Sequence, residues 1–84
     1  MLIYRYEMPD GGGPFFTLDG VQRRTGVKLP PSEYIFGCKN IDDLNKYFNN
    51  VENISEECKI VVRDIPANEI YYLGNQIMFK KSLL

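Results

Sequence analysis

Hydrophobic and polar positions alternate from the start of the chain. Leu2, Tyr4, Tyr6 and Met8 fall on one face of an extended segment, and Ile3, Arg5 and Glu7 on the other. This period-two pattern predicts a strand over residues 2–8, with Arg5 on its more polar face. A short apolar run, Tyr34-Ile35-Phe36-Gly37-Cys38, suits a second, buried strand. The period then lengthens: Ile41, Leu44, Tyr47 and Phe48 recur at helical spacing, which predicts a helix over 41–49 with one apolar stripe. Asn40 can cap its start, Asp42 and Asp43 complement the positive end of its dipole, and Asn49-Asn50 suits its exit.

The β-branched run Lys59–Ile65 predicts a further strand, stopped by Pro66. A C-terminal hairpin over 69–80 follows, with Gly74-Asn75 as a two-residue type II′ turn. Its register would pair Tyr72 with Ile77, Ile70 with Phe79 and Glu69 with Lys80, giving an apolar face and a charge pair together. Residues 9–33 obey neither period. Thr17–Gly26 could form a short helical turn closed by Gly26, Pro30 and Pro31 exclude regular structure, and 51–57 reads as polar loop. The sum is one α+β domain over 1–84. It has a small, mostly antiparallel sheet of four to five strands, one main helix (41–49) packed on it, and the C-terminal hairpin. Eighty-four residues fit a single domain with a thin core.

Composition narrows the partners. With 44% hydrophobic and 13% aromatic residues the chain is too apolar for a disordered tail. No apolar run approaches the ~20 residues that span a bilayer. Arg5 and Glu7 in the first segment do not suit a secretory signal, so a cytoplasmic setting is expected, with Cys38 and Cys58 as reduced core thiols. A net charge of −1 argues against nucleic-acid binding. The charge is uneven, however. Arg23, Arg24, Lys28 and Lys39 precede an acidic stretch from Asp42 to Glu57, so Arg23 and Arg24 read either as part of a solvated face or as a local anion site.

Chemistry is restricted by what is missing. There is no histidine, which removes the usual serine and cysteine triads, and two cysteines twenty positions apart do not make a zinc site. No catalytic residue, metal or cofactor is assigned. The loop Pro9-Asp10-Gly11-Gly12-Gly13-Pro14 lacks the lysine and hydroxyl of a P-loop, yet its glycines would let a ligand or another chain come close. Phe15 and Phe16, just after it, could form a lid or a ring-stacking wall.

Four motifs carry a resemblance: Tyr4-Arg5-x-Glu7, Gly11-Gly12-Gly13-Pro14-Phe15, Ile60-Val61-Val62-Arg63-Asp64-Ile65-Pro66, and Gly74-x-Gln76-x-x-Phe79. In this order they resemble small proteins encoded by phages and prophages, which implies the cytoplasm of an infected host. More remotely, a first-strand arginine with a polar residue on a late strand is similar to the ADP-ribosyltransferase layout. That likeness implies that Arg5 helps to hold NAD. Gln76 stands nearest the position of the catalytic glutamate, and an amide cannot act as that carboxylate.

The expectation is therefore a non-catalytic phage-type binder, directed against host defence, that sequesters a nucleotide-derived signal or blocks a host defence protein. Its expected ligand-binding residues are Arg5, Gly11, Gly12, Gly13, Phe15, Phe16, Arg23, Arg24 and Gln76. The alternatives are an ADP-ribosyltransferase-like enzyme acting on NAD, and a structural module that oligomerises through the hairpin edge.

Overall fold

Strands form where β-branched and aromatic residues can be paired, and the chain pairs them in two small antiparallel sheets. The computed structural model describes residues 1–28, 33–48 and 54–84. Among these, the strands are β1 (Leu2–Glu7), β2 (Tyr34–Gly37), β3 (Lys59–Asp64), β4 (Tyr71–Leu73) and β5 (Gln76–Lys80), with a helix α1 (Ile41–Phe48) between β2 and β3. β1 pairs with β3 from Leu2↔Asp64 to Glu7↔Lys59, and the other sheet has the order β2-β5-β4. Among the described residues the fold is of the expected α+β class, with five strands and a C-terminal hairpin. No helix among the described residues is long and apolar enough to cross a membrane.

Among the described residues an isolated antiparallel bridge joins the two sheets. Tyr4 N–H donates to the Cys38 carbonyl at 2.8 Å, and Cys38 N–H returns to the Tyr4 carbonyl at 2.9 Å. The neighbouring Gly37 makes this approach possible. A methyl group there would lie 2.8 Å from Arg5 Cγ and 3.0 Å from the Tyr4 carbonyl oxygen, and would collide with Ile3. Below the junction sits the core of Ile3, Ile65, Ile77 and Phe79, flanked by Ile35, Ile70 and Leu83.

The buried face of β1 is Ile3, Arg5 and Glu7, while Leu2 is exposed and Tyr4 and Tyr6 are half-buried. The face with the charges is the inner one, because its two ions satisfy each other and Arg63 of β3 joins them. The helix begins as expected: Asn40 Oδ1 accepts from Asp43 N–H at 2.8 Å. Its apolar stripe is only partly used. Leu44 is buried and Phe48 half-buried, whereas Ile41 and Tyr47 remain exposed, since the helix meets the rest of the fold mainly through β1.

Three local expectations need correction. Residues 17–28 form no helix beyond one turn, in which Gly26 N–H donates to the Gln22 carbonyl at 2.8 Å and Gly26 closes it as expected; the part from Thr17 to Val21 is not helical. Thr17 N–H bonds the Val21 carbonyl, Gln22 N–H the Val27 carbonyl and Arg23 N–H the Phe15 carbonyl, with Gly20 and Gly26 at positive φ reversing the chain. The hairpin keeps its Tyr72↔Ile77 register and its Gly74-Asn75 turn, with Gly74 at φ 61°, but it starts at Tyr71. Ala67–Glu69 instead make a 3-10 turn after Pro66 and the ladder ends at Tyr71↔Met78, so the Ile70–Phe79 and Glu69–Lys80 pairs are not part of it, although Ile70 still packs on the core that holds Phe79. Cys58 is only half-buried, unlike the buried Cys38, because it precedes an edge strand. The expected helix end at Asn49, Pro30, Pro31 and residues 51–53 lie outside the described residues.

Candidate functional site

Where β1 and β2 are held together by the Tyr4–Cys38 bridge, the glycine loop and α1 rise on one side and leave a cavity of about 350 Å³ between them. Ligand sites run from about 300 to 1,000 Å³, so this one has room for a small ligand. β1 contributes Arg5 and Tyr6. The loop and the segment after it contribute Gly12 to Leu18 together with Gly20. β2 and its exit supply Tyr34 to Cys38, α1 supplies Leu44 and Phe48, and β5 supplies Gln76. Of the residues expected from sequence to bind a ligand, six line this one cavity: Arg5, Gly12, Gly13, Phe15, Phe16 and Gln76.

The wall is aromatic. Phe48 meets Tyr6 edge-on at 4.9 Å and tilts against Phe15 at 6.0 Å. Such rings present faces to a planar ligand at little entropic cost. Phe16, 37% exposed, stands at the rim, consistent in position with a wall or lid. The sequence singled out Phe15 and Phe16 by their place after the glycines. Tyr6, Tyr34, Phe36, Leu44 and Phe48 carried no local signal beyond element-forming periodicity, and only the packing of α1 and β2 against β1 brings them here.

Arg5 provides the charge. Its side chain is 5% exposed, and its Nε–H donates to the Phe36 carbonyl at 2.8 Å. Its Nη1 lies 3.1 Å from Glu7 Oε2. Glu7 in turn accepts from Arg63, Nε to Oε2 at 3.0 Å and Nη2 to Oε1 at 2.6 Å. Burial pulls the Arg5 pKa below the ordinary arginine value, with Glu7 opposing that shift and Arg63 adding to it. For Arg63, the hydrogen bonds to Glu7 push the pKa up. Both guanidiniums stay protonated at any physiological pH.

Arg23, Arg24 and Gly11 stand outside the cavity lining. Arg23 holds the glycine loop in place: it grips Asp10 through Nη1–Oδ2 at 3.0 Å and Nη2–Oδ1 at 2.8 Å, and its Nε–H donates to the Gly13 carbonyl at 2.8 Å. Asp10 Oδ1 also accepts from Gly12 N–H at 2.9 Å. The Gly12 amide is therefore turned to the loop's own carboxylate. The Arg23 hydrogen bonds, then that amide, draw the Asp10 pKa below the usual carboxylate range. Arg24 is exposed and engaged elsewhere. Gly12 is required by close packing: a methyl group there would lie 2.8 Å from Arg23 Nη2, 2.8 Å from the Phe16 carbonyl oxygen and 2.9 Å from Thr17 Cα.

A second cavity of about 190 Å³ lies beyond Cys38 and Gln76, which line both; Asp43, Lys46, Tyr47 and Asn75 complete it. Among the described residues no cluster of three or more His, Cys, Asp or Glu could hold a metal ion. A model of the family described as Bacteriophage T4 Y00F protein matches residues 1–83 of the chain. No curated protein and no solved structure matches it.

Proposed function

The chain belongs to the Bacteriophage T4 Y00F protein family, and we propose that this phage protein binds a small nucleotide-derived ligand in the 350 Å³ cavity and holds it without turnover. The observation that carries this reading is the convergence of Arg5, the glycine loop, Phe15, Phe16 and Gln76 on one aromatic-walled space. Rings supply stacking for a base, Arg5 supplies a buried cation, and Gln76 can both donate and accept hydrogen bonds. Sequestration of a host signalling nucleotide is the role such a site would serve in an infected cell.

The case against turnover rests on the lining. Among the described residues it contains no Asp or Glu, and the carboxylate nearest Arg5, that of Glu7, is occupied by two arginines. An enzyme of the ADP-ribosyltransferase type would need a carboxylate at the developing cation, where Gln76 offers an amide. The test is calorimetry with NAD, ADP-ribose and cyclic nucleotides, followed by mass spectrometry of the recovered ligand. Binding with intact recovery supports the reading. Nicotinamide release from NAD, abolished by Glu69→Gln or by Glu7→Gln under conditions where circular dichroism shows that variant still folded, supports the enzyme instead.

A protein partner, whether a host defence protein or a second copy, is the second reading. It draws on the outer strand β4, where Tyr71, Tyr72 and Leu73 are all at least half exposed at the sheet edge. Light scattering of the purified chain alone and with an added partner separates this from small-molecule binding.

A further inference from the structure

We propose that the cavity selects a singly charged ligand: a planar ring stacked among Phe15, Phe16 and Phe48, joined to one monoanionic group that meets Arg5. This rests on the nucleotide-binding reading and narrows it to 3′,5′-cyclic mononucleotides, whose phosphodiester carries a single negative charge.

Three charged side chains form one cluster beside the cavity, two arginines around one carboxylate, with a net charge of one positive unit. The carboxylate is unequally shared. Glu7 gives both oxygens to Arg63, at 2.6 and 3.0 Å, and one of them also to Arg5, at 3.1 Å. Arg5 is the more deeply buried arginine, with 5% of its side chain exposed against 34% for Arg63. The cation with the least access to water therefore has the weaker hold on the anion.

Its hydrogen bonding is also incomplete. A guanidinium has five N–H donors. For Arg5, Nε–H goes to the Phe36 carbonyl and Nη1 to Glu7, and among the described residues it has no other acceptor. The Nη2 left without a protein partner is not sealed from solvent, and Arg5 lines the cavity, so an acceptor arriving there takes the place of water on its shell. One negative charge brings the cluster to neutrality. A second would leave an unpaired anion in a space walled by rings, where desolvation outweighs the gain. The volume agrees: about 350 Å³ suits one ring system with a short anionic arm rather than a dinucleotide.

The experiment is calorimetric titration of the wild-type chain with the 3′,5′-cyclic mononucleotides, the matching nucleosides and 5′-monophosphates, and 2-naphthoate. At least one cyclic nucleotide should bind about tenfold or more tightly than its nucleoside and its 5′-monophosphate, and should slow alkylation of Cys38, which lines the cavity. A nucleoside binding as well as its cyclic phosphate, or a 5′-monophosphate binding better, overturns the one-charge rule and leaves nucleotide binding standing. Binding of 2-naphthoate alone overturns the nucleotide and leaves the one-charge rule. Binding that leaves Cys38 alkylation unslowed places the ligand elsewhere and overturns the proposal. Failure of every probe to bind overturns this proposal, and the reading beneath it falls as well only when NAD and ADP-ribose also fail to bind.

Discussion

Arg5 and Glu7, two residues apart on the inner face of β1, meet at 3.1 Å with 5% and 4% of their surfaces exposed. Their contact joins the strand that carries the core residue Ile3 to the cavity that Arg5 lines. A buried pair of this kind has an asymmetric energetics. Replacing both ions by well-packed apolar groups can be neutral or stabilising, whereas removing one strands the other.

Glu7→Gln should therefore destabilise the fold strongly, by about 3–5 kcal/mol, because it leaves Arg5 and Arg63 facing each other without their anion. Arg5→Ala should also lower stability, in addition to weakening any ligand. Urea titrations of both variants provide the check. A Glu7→Gln midpoint equal to that of the wild type would mean that the cluster is not formed in solution.

Gly12→Ala and Gly13→Ala should separate packing from ligand approach. At Gly12 the added methyl meets the backbone of Phe16 and Thr17 within 3 Å, which should cost about 1–3 kcal/mol. At Gly13 it meets nothing within 4 Å, and the φ angle there is not positive, so stability should change by less than about 0.5 kcal/mol. Since Gly13 lines the cavity, any loss of ligand affinity in Gly13→Ala reports on the site itself. Equal melting losses for the two variants would contradict the packing described for the loop.

The Asp10–Arg23 clasp sets a pH dependence whose sign follows from the Asp10 pKa. That pKa is lowered in the folded chain, so the contribution is present above the unfolded value of about 3.9 and is lost as pH falls through the folded one. The stability gap between wild type and Asp10→Asn should accordingly narrow as pH falls below the unfolded value. The clasp is partly exposed, so salt should narrow the gap as well. Denaturation midpoints of the two proteins as pH is lowered test it, and a gap independent of pH would mean that the carboxylate does not hold Arg23.

Both thiols should react slowly. Burial pushes the Cys38 pKa up, with Asp43 adding to it, and burial is also the largest cause of the rise at Cys58. Because the thiolate is the nucleophile, alkylation should need a higher pH than for an ordinary free cysteine. Cys58, half-buried, should label before Cys38, which is 2% exposed. Mass-resolved labelling kinetics give the order, and faster labelling of Cys38 would contradict its burial.

Much of the fold was legible in short-range pattern. Alternation located β1, helical spacing and Asn40 located α1, and Gly74-Asn75 located the turn between β4 and β5. The inner face of β1 was not legible as such. Hydropathy favoured the side with Leu2, Tyr4 and Tyr6, and only the arrival of Arg63 from fifty-six residues beyond Glu7 lets two charges be buried on the other. The site was half legible for the same reason. Glycines and aromatics marked the loop, yet Arg23 looked like a ligand-facing cation, and its partner Asp10 shows it to be a clasp. Tyr6 and Phe48 join the wall through a tertiary ring contact that no local spacing encodes.

The central claim is that a ligand enters the cavity between β1, the glycine loop and α1. Backbone amide shift mapping during titration with a 3′,5′-cyclic mononucleotide tests it most directly. The expected result is saturable shifts at Arg5, Tyr6, Gly12, Gly13, Phe15, Phe16 and Gln76, with β4 unchanged from Tyr71 to Leu73. Shifts confined to Tyr71–Leu73, or none at the cavity at saturating ligand, would contradict it.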